Sequence, residues 1–274
     1  LKLYAISDLH LANKVNRVAL EALPAHPHDW LILAGDIGES DLHLKYALSI
    51  LIQRFKKLVW VPGNHDLWTL PVDRFLLRGE AKYRELVSIC RGYGVLTPED
   101  PYTLITVQER TYRLAPLFLL YDFSFRPDYV RPEKAVEWAA ESGVMCTDVE
   151  LLSPAPYESI PAWCAQRCLY TEKRLIEASP QIPLILINHF PLRQDLVYLH
   201  TFRRFSIWCG TTCTEDWHTR FPVSVVVYGH LHTRSTHYRD GVRFEEVSFG
   251  YPRDWREELG LEFYLREILP GNSA

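Results

Sequence analysis

Residues 1–10 read LKLYAISDLH, an apolar run of strand length that ends in an aspartate and, two positions on, a histidine. The same pattern returns at 30–36, WLILAGD, and at 57–66, KLVWVPGNHD. Runs this short and this apolar fit strands buried on both faces. Between them, NRVALEALPAH (16–26) and DLHLKYALSILIQRF (41–55) carry helical periodicity, the second with apolar positions at Leu44, Ala47, Leu48, Leu51 and Ile52. Strand and helix in alternation predict parallel pairing through right-handed crossovers, hence an α/β fold.

Outward from this opening, a further helix is expected over 71–88, with strands near 102–108, 112–121, 183–188 and 223–228. HYRDGVRFEEVSF (237–249) places Asp-Gly between two extended runs, a hairpin signal, and FYLREI (263–268) reads as a closing strand. Residues 122–182 differ in texture, with several prolines around helix-like pieces such as PAWCAQRCLYTEKRLIEA (161–178). No Gly- or Ser-rich linker sets them apart. The expected organisation is one domain over 1–274 with a helical insertion or cap at about 122–182.

The 274 residues are 47% hydrophobic, enough for one substantial core. A net charge of -4 gives no global reason for a polyanion partner. The nine Arg or Lys between 190 and 256 face seven Asp or Glu, too balanced for the phosphate track a nuclease needs. The longest apolar run, LAPLFLLY (114–121), is strand-sized, so no membrane partner is expected. The first residues already read as strand, so a signal peptide is not expected and a cytoplasmic location is.

Five strand-like runs end in polar clusters: Asp8 and His10; Asp36; Asn64, His65 and Asp66; Asn188 and His189 in ILINHF; and His230 and His232 in VVYGHLH (226–232). A lone DLH or HLH is ordinarily a solvated loop, but five such clusters after five apolar runs are not explained that way. Carboxyl ends of parallel strands share one edge, and a strand period of two puts Asp8 beside His10 and His230 beside His232. Carboxylate, amide and imidazole donors together suit two adjacent transition-metal ions, manganese or iron first and zinc also compatible. Such a pair favours in-line hydrolysis of a phosphoester by a water activated between the ions.

The ordered blocks D-x-H, G-D, G-N-H-D, H and G-H-x-H resemble the signature of the calcineurin-like metallophosphoesterases, from Asp8 to His232. The resemblance implies a four-layer α/β/β/α sandwich with two central sheets. It implies that Asp8, His10 and His232 hold one metal, that Asn64, His189 and His230 hold the other, and that Asp36 bridges. His65 would contact phosphate and protonate the leaving group, with Asp66 orienting it. GTTCTEDWHTRF (210–221), the stretch 226–244 and VSFGYPRDW (247–255) are similar to a bacterial subgroup of cytoplasmic members. That likeness implies a phosphopantetheinylated carrier protein as substrate, and so a phosphodiester. The alternatives are a phosphomonoesterase on a small metabolite or phosphoprotein, a nuclease, and a non-catalytic interaction module.

Among the remaining residues, Arg193 in HFPLR is the arginine expected to reach phosphate. Tyr121, Phe123, Phe125 and Tyr129 could wall a pocket for the leaving group. The pairs Cys164/Cys168 and Cys209/Cys213 have spacing compatible with structural zinc, but the first, on an amphipathic helix, reads better as buried thiols, and Cys90 and Cys146 as core or partly buried thiols. His26, His28, His43, His200, His218 and His237 read as packing or solvent-facing residues.

Overall fold

The computed structural model describes residues 1–70, 77–178 and 181–271. Its strands are β1 (Leu3–Ile6), β2 (His26–Ala34), β3 (Phe55–Val61), β4 (Thr103–Val107), β5 (Arg110–Pro116), β6 (Leu184–Ile187), β7 (Val223–Tyr228), β8 (Thr236–Arg239), β9 (Val242–Glu246) and β10 (Arg266–Leu269). Its α-helices are α1 (Lys14–Glu21), α2 (Asp41–Leu51), α3 (Asn64–Leu67), α4 (Gly79–Gly92), α5 (Ala135–Ala140), α6 (Asp148–Leu151), α7 (Ile160–Glu177) and α8 (Trp217–Arg220). One sheet has the order β10-β1-β2-β3 and the other β4-β5-β6-β7-β9-β8. β1, β2 and β3 run parallel, as do β5, β6, β7 and β9, while β10 and the two hairpins supply the antiparallel edges.

Strand alternation builds the layers. Leu3, Ala5, Ile32, Ala34, Val59 and Val61 of the first sheet face Ile105, Leu114, Ile185, Ile187, Val225 and Val227 of the second in one buried cluster. The opposite faces carry Leu31, Leu33, Leu58 and Trp60, and Leu184, Leu186, Val226 and Tyr228. These join Leu20, Leu44, Leu48, Tyr83, Trp163 and Leu175 of the helices in a larger core. Helices, sheet, sheet and helices make the four-layer α/β/β/α sandwich. The near-continuous apolar strands have this cause: each is covered twice.

Several element bounds differ from the sequence reading. The stripe of α2 closes at Leu51, and Ile52 is 41% exposed at the helix end. The helix expected over 71–88 is α4, running Gly79–Gly92; residues 71–76 lie outside those described. β5 stops at Pro116, and Leu117–Tyr121 continue buried without a ladder. Leu119 N instead donates to Asn188 Oδ1 at 3.1 Å. Phe263 and Tyr264 fall in a tight turn, so β10 begins at Arg266. Within 122–182, α7 is built into the outer core through Trp163, Cys164 and Leu175, while Met145–Asp148 reach the cleft described next.

Candidate metal centre

The five polar clusters meet because they follow the carboxyl ends of β1, β2, β3, β6 and β7. Pleating is not what aligns Asp8 with His10 or His230 with His232. β1 ends at Ile6 and β7 at Tyr228, so both pairs lie in the turns beyond. There Asp8 (φ 55), His10 (φ 44), Asp36 (φ 52), His230 (φ 72) and His232 (φ 52) all take left-handed backbone. Each such conformation costs about 1–3 kcal/mol and persists only where its surroundings hold it. Asp8 N donates to Gly35 O at 2.9 Å and His10 N to Asp36 O at 3.1 Å, tying the two turns together. The motif glycines are required by approach. A Cβ on Gly63 would sit 2.1 Å from Asp36 Oδ1, and one on Gly229 2.5 Å from Asp8 Oδ2.

Two ligand groups result. Asp8 Oδ1 lies 3.0 Å from His232 Nε2 and 3.7 Å from His10 Nε2, and the two imidazole nitrogens are 3.2 Å apart. His189 Nε2 lies 3.5 Å from Asp36 Oδ2 and 3.2 Å from Asn64 Oδ1. Ligand atoms arranged round one transition-metal ion with bonds of about 2.0–2.2 Å have such separations. The donors of Asp8, Asp36 and His189 also fall within 4.8 Å of one another, so carboxylates connect the groups. Among the described residues, His230 Nε2 is buried with no hydrogen-bond partner, as is His10 Nδ1. Buried orphan nitrogens are rare, and a cation beside His230 would resolve one of them. The residues fit a two-ion centre.

Further side chains fix the donors. His232 Nδ1 is 3.0 Å from Asp254 Oδ2 and His189 Nδ1 is 2.9 Å from Ala34 O, so each presents Nε2 inward. Asn64 Nδ2 donates to Asp148 Oδ1 at 2.9 Å, which turns the amide oxygen toward His189. Asp148 also accepts from Trp68 Nε1 (2.6 Å) and Tyr121 OH (3.1 Å). Asp8 Oδ2 accepts from Ser7 Oγ, Ser248 Oγ and His230 N. Tyr251 stacks on the His10 ring at 4.2 Å.

The electrostatics follow from burial against neighbouring charge. Burial alone would lower the His189 pKa, yet the Asp36 carboxylate carries it up to about 10. His232 behaves likewise, with burial opposed by Asp8 and a rise to about 9. Burial, and then the charge on His189, push His230 down to about 3. Asp36, whose pKa burial would raise, is held below the carboxylate range by His189 and His65. In metal-free protein near neutral pH, protons on His189 and His232 thus balance Asp36 and Asp8.

His65 stacks on Trp68 with ring centroids 3.6 Å apart, its Nε2 3.9 Å from Asp36 Oδ2. Burial would lower its pKa, but Asp36 and then Glu39 raise it. The carboxylate facing its Nδ1 is Glu39, at 3.8 Å. Asp66 does not orient His65. Its two oxygens accept from the backbone N–H groups of Asp36, Ile37, Gly38 and Gly63, so it organises the chain under the site.

Arg193, expected to reach phosphate, sits outside the cleft. It donates to Asp195 at 2.8 Å and to Glu215 O at 3.1 Å. The cleft, of about 380 Å³, has Arg253 at its lip and apolar walls of Trp68, Met145, Leu199, Phe202 and Phe205. Tyr121 and Phe125 are core, Tyr129 is 81% exposed, and none of the four aromatics of 121–129 lines the cleft. Among the described residues no cysteine joins a metal-capable group. Cys164, Cys168 and Cys209 are buried free thiols, and Cys146 lies in the cleft wall. His218 does have partners: it is buried 2.8 Å from Asp240.

No described helix is long and apolar enough to cross a membrane. The model of the calcineurin-like phosphoesterase family matches residues 1–234. The acyl-carrier-protein phosphodiesterase PptH of Mycobacterium tuberculosis is 45% identical over 270 residues, spanning 98% of this chain and 83% of that protein. The crystal structure of phosphopantetheinyl hydrolase (PptH) from the same organism is similar with a TM-score of 0.95 and 44% identity, covering 100% of this chain and 97% of that one. With the ordered motifs, the double-sheet sandwich and these matches in accord, the chain belongs to the calcineurin-like phosphoesterase family and is a phosphoester hydrolase.

Proposed function

We propose that the chain is a two-ion phosphodiesterase that releases phosphopantetheine from a carrier-protein serine. The observation that carries this reading is the composition of the cleft wall. Among the described residues its lining holds one arginine and no lysine, and Arg253 has a side chain 82% exposed beside Asp254. A monoester dianion would call for a forked cation at depth. A diester carries one charge fewer and two organic arms, which the apolar wall can receive. Met145 and Phe202, 78% and 61% exposed at the mouth, leave room for a macromolecular arm. The similarity to a protein named acyl-carrier-protein phosphodiesterase supports the same substrate. A cytoplasmic, bacterial setting accords with it.

In this reading Asp8, His10 and His232 would hold one ion, Asn64, His189 and His230 would hold the other, and Asp36 would serve both. Bound ions would acidify a water and offset charge on the phosphoryl oxygens. Mixed carboxylate, amide and imidazole donors favour manganese or iron. Asp254 and Ala34 O keep Nε2 of His232 and His189 aimed inward. Asp148 keeps the Asn64 oxygen, not its NH2, toward the centre. His65, its pKa raised by Asp36 and Glu39 against burial, stands on the cleft wall and gives its proton to the departing alkoxide oxygen. Trp68 beneath the ring fixes its plane.

The test is a comparison of two substrates with matched arms. Metal-loaded chain is offered a phosphopantetheinylated carrier protein and free phosphopantetheine, a monoester. Cleavage of the carrier-bound diester in preference to release of inorganic phosphate is expected. Faster dephosphorylation of free phosphopantetheine, with the carrier untouched, would make it a monoesterase.

A further inference from the structure

A second cavity, of about 570 Å³, opens where the edges of the two sheets part. β10 closes the first sheet and the β8–β9 hairpin closes the second. Three arginines from three segments line it: Arg234 from the turn after β7, Arg243 on β9 and Arg266 on β10. It shares no lining residue with the metal-centre cleft.

The arginines are only partly used by the protein: Arg243 Nη2 donates to Ile268 O at 2.5 Å, and one nitrogen of each stays open. Among the described residues, Arg234 Nη1, Arg243 Nε and Arg266 Nε are each buried without a hydrogen-bond partner. A buried donor on a charged group left unpaired is costly. Glu245 approaches Arg243 Nε at 3.3 Å and Arg266 Nε at 3.4 Å, and these contacts do not meet hydrogen-bond geometry. Glu245 is also held by Thr236 Oγ1 at 2.7 Å. The other lining carboxylate, Glu267, pairs with Lys2 at 2.7 Å. The guanidinium of Arg234 lies over the Tyr264 ring at 5.0 Å. Arg243 and Arg266 therefore share one carboxylate, and Arg234 forms no ion pair among the described residues. Tyr238 and Phe263, 53% and 62% exposed, stand on the rim.

We propose that this cavity is a second ligand site, for a phosphate-bearing small molecule, separate from the hydrolytic centre. Phosphate oxygens would accept from the unpartnered guanidinium nitrogens, the pairing arginine makes best. The source is either free phosphate or a nucleotide, whose base could lie against the rim aromatics.

Inorganic phosphate and AMP are titrated calorimetrically into the metal-loaded full chain. Two phosphate-binding events are expected, one of which Asp36→Asn removes. Arg234→Gln and Arg266→Gln should each weaken the other by about tenfold or more, as expected for loss of a charge-assisted contact. Hydrolysis in phosphate-free buffer should be unchanged in both, which also reports that they fold. AMP binding tighter than phosphate identifies a nucleotide; equal or weaker AMP binding identifies the free anion. Independently of any variant, phosphate should protect Arg234 and Arg266 of the unaltered chain from phenylglyoxal, read by peptide mass. A single event abolished by Asp36→Asn, or no protection of these arginines, overturns the proposal.

Discussion

Asp148 links residues far apart in the chain to one ligand, and removing it should unbalance the centre. Its Oδ1 accepts from Asn64 Nδ2 at 2.9 Å and from Trp68 Nε1 at 2.6 Å, and its Oδ2 from Tyr121 OH at 3.1 Å. Asp148→Ala orphans three donors. Each buried donor left unpaired costs about 1–3 kcal/mol, but Asp148 borders the cleft, where water can take over part of its role. A net loss of about 2 kcal/mol of stability is expected. The sharper effect is on Asn64, which loses the acceptor that tells its oxygen from its nitrogen. Outer partners of metal ligands are typically worth about 10–100-fold in affinity. The ion held by Asn64, His189 and His230 should weaken by that factor, while the one held by Asp8, His10 and His232 keeps its affinity. Asp148→Asn can still offer one oxygen to Asn64 and Trp68 and should retain most of the binding. Calorimetric titration of chelated protein with manganese resolves the two steps. Equal weakening of both steps, or of neither, would refute the role given to Asp148.

Arg193→Ala should leave kcat/KM within about twofold and cost at most about 1 kcal/mol of stability, because its partners are local and partly solvated; a large rise in KM would return it to the substrate site. His65→Asn should keep both ions yet lose far more rate on an alkyl ester than on a nitrophenyl ester, since a proton donor matters most for a poor leaving group, with about 10²–10⁴-fold at stake; equal losses would leave His65 a phosphate contact only. Metal loading near pH 7 should release protons from His189 and His232, whose pKa values lie near 10 and 9, so affinity should rise with pH. For the chelated protein those raised values add stability that is full below about pH 6.5 and is lost as pH climbs through 9 to 10. Its urea midpoint should fall between pH 7 and pH 10, and a flat profile would contradict the charge pairing.

The apolar runs at 30–35 and 57–61 show no polar alternation, and that alone announced strands covered on both faces. The polar residues closing five runs located the site edge for the same reason, because strand ends in such a fold converge. The turn conformation at Asp8 and His10 was not legible. D-L-H suits a pleated strand and a left-handed turn alike, and the choice is made by Gly35 and Asp36 reaching across from the next strand. Asp148 was hidden because a carboxylate in a proline-rich stretch has no local mark of the residue it will meet. Asp254 stood in the quoted segment VSFGYPRDW, but nothing local pairs it with His232. Adjacency misled in two cases. Asp66 follows His65 but points to four backbone donors, and Arg193 follows His189 closely but finds Asp195 first.

Manganese-reconstituted protein should hold a pair of ions at the five strand ends. Anomalous scattering from crystals of the manganese-reconstituted protein tests it directly. Two peaks are predicted, one bonded to Asp8, His10 and His232, the other to Asn64, His189 and His230, with Asp36 reaching both. A single peak, or peaks bonded to other residues, would contradict it.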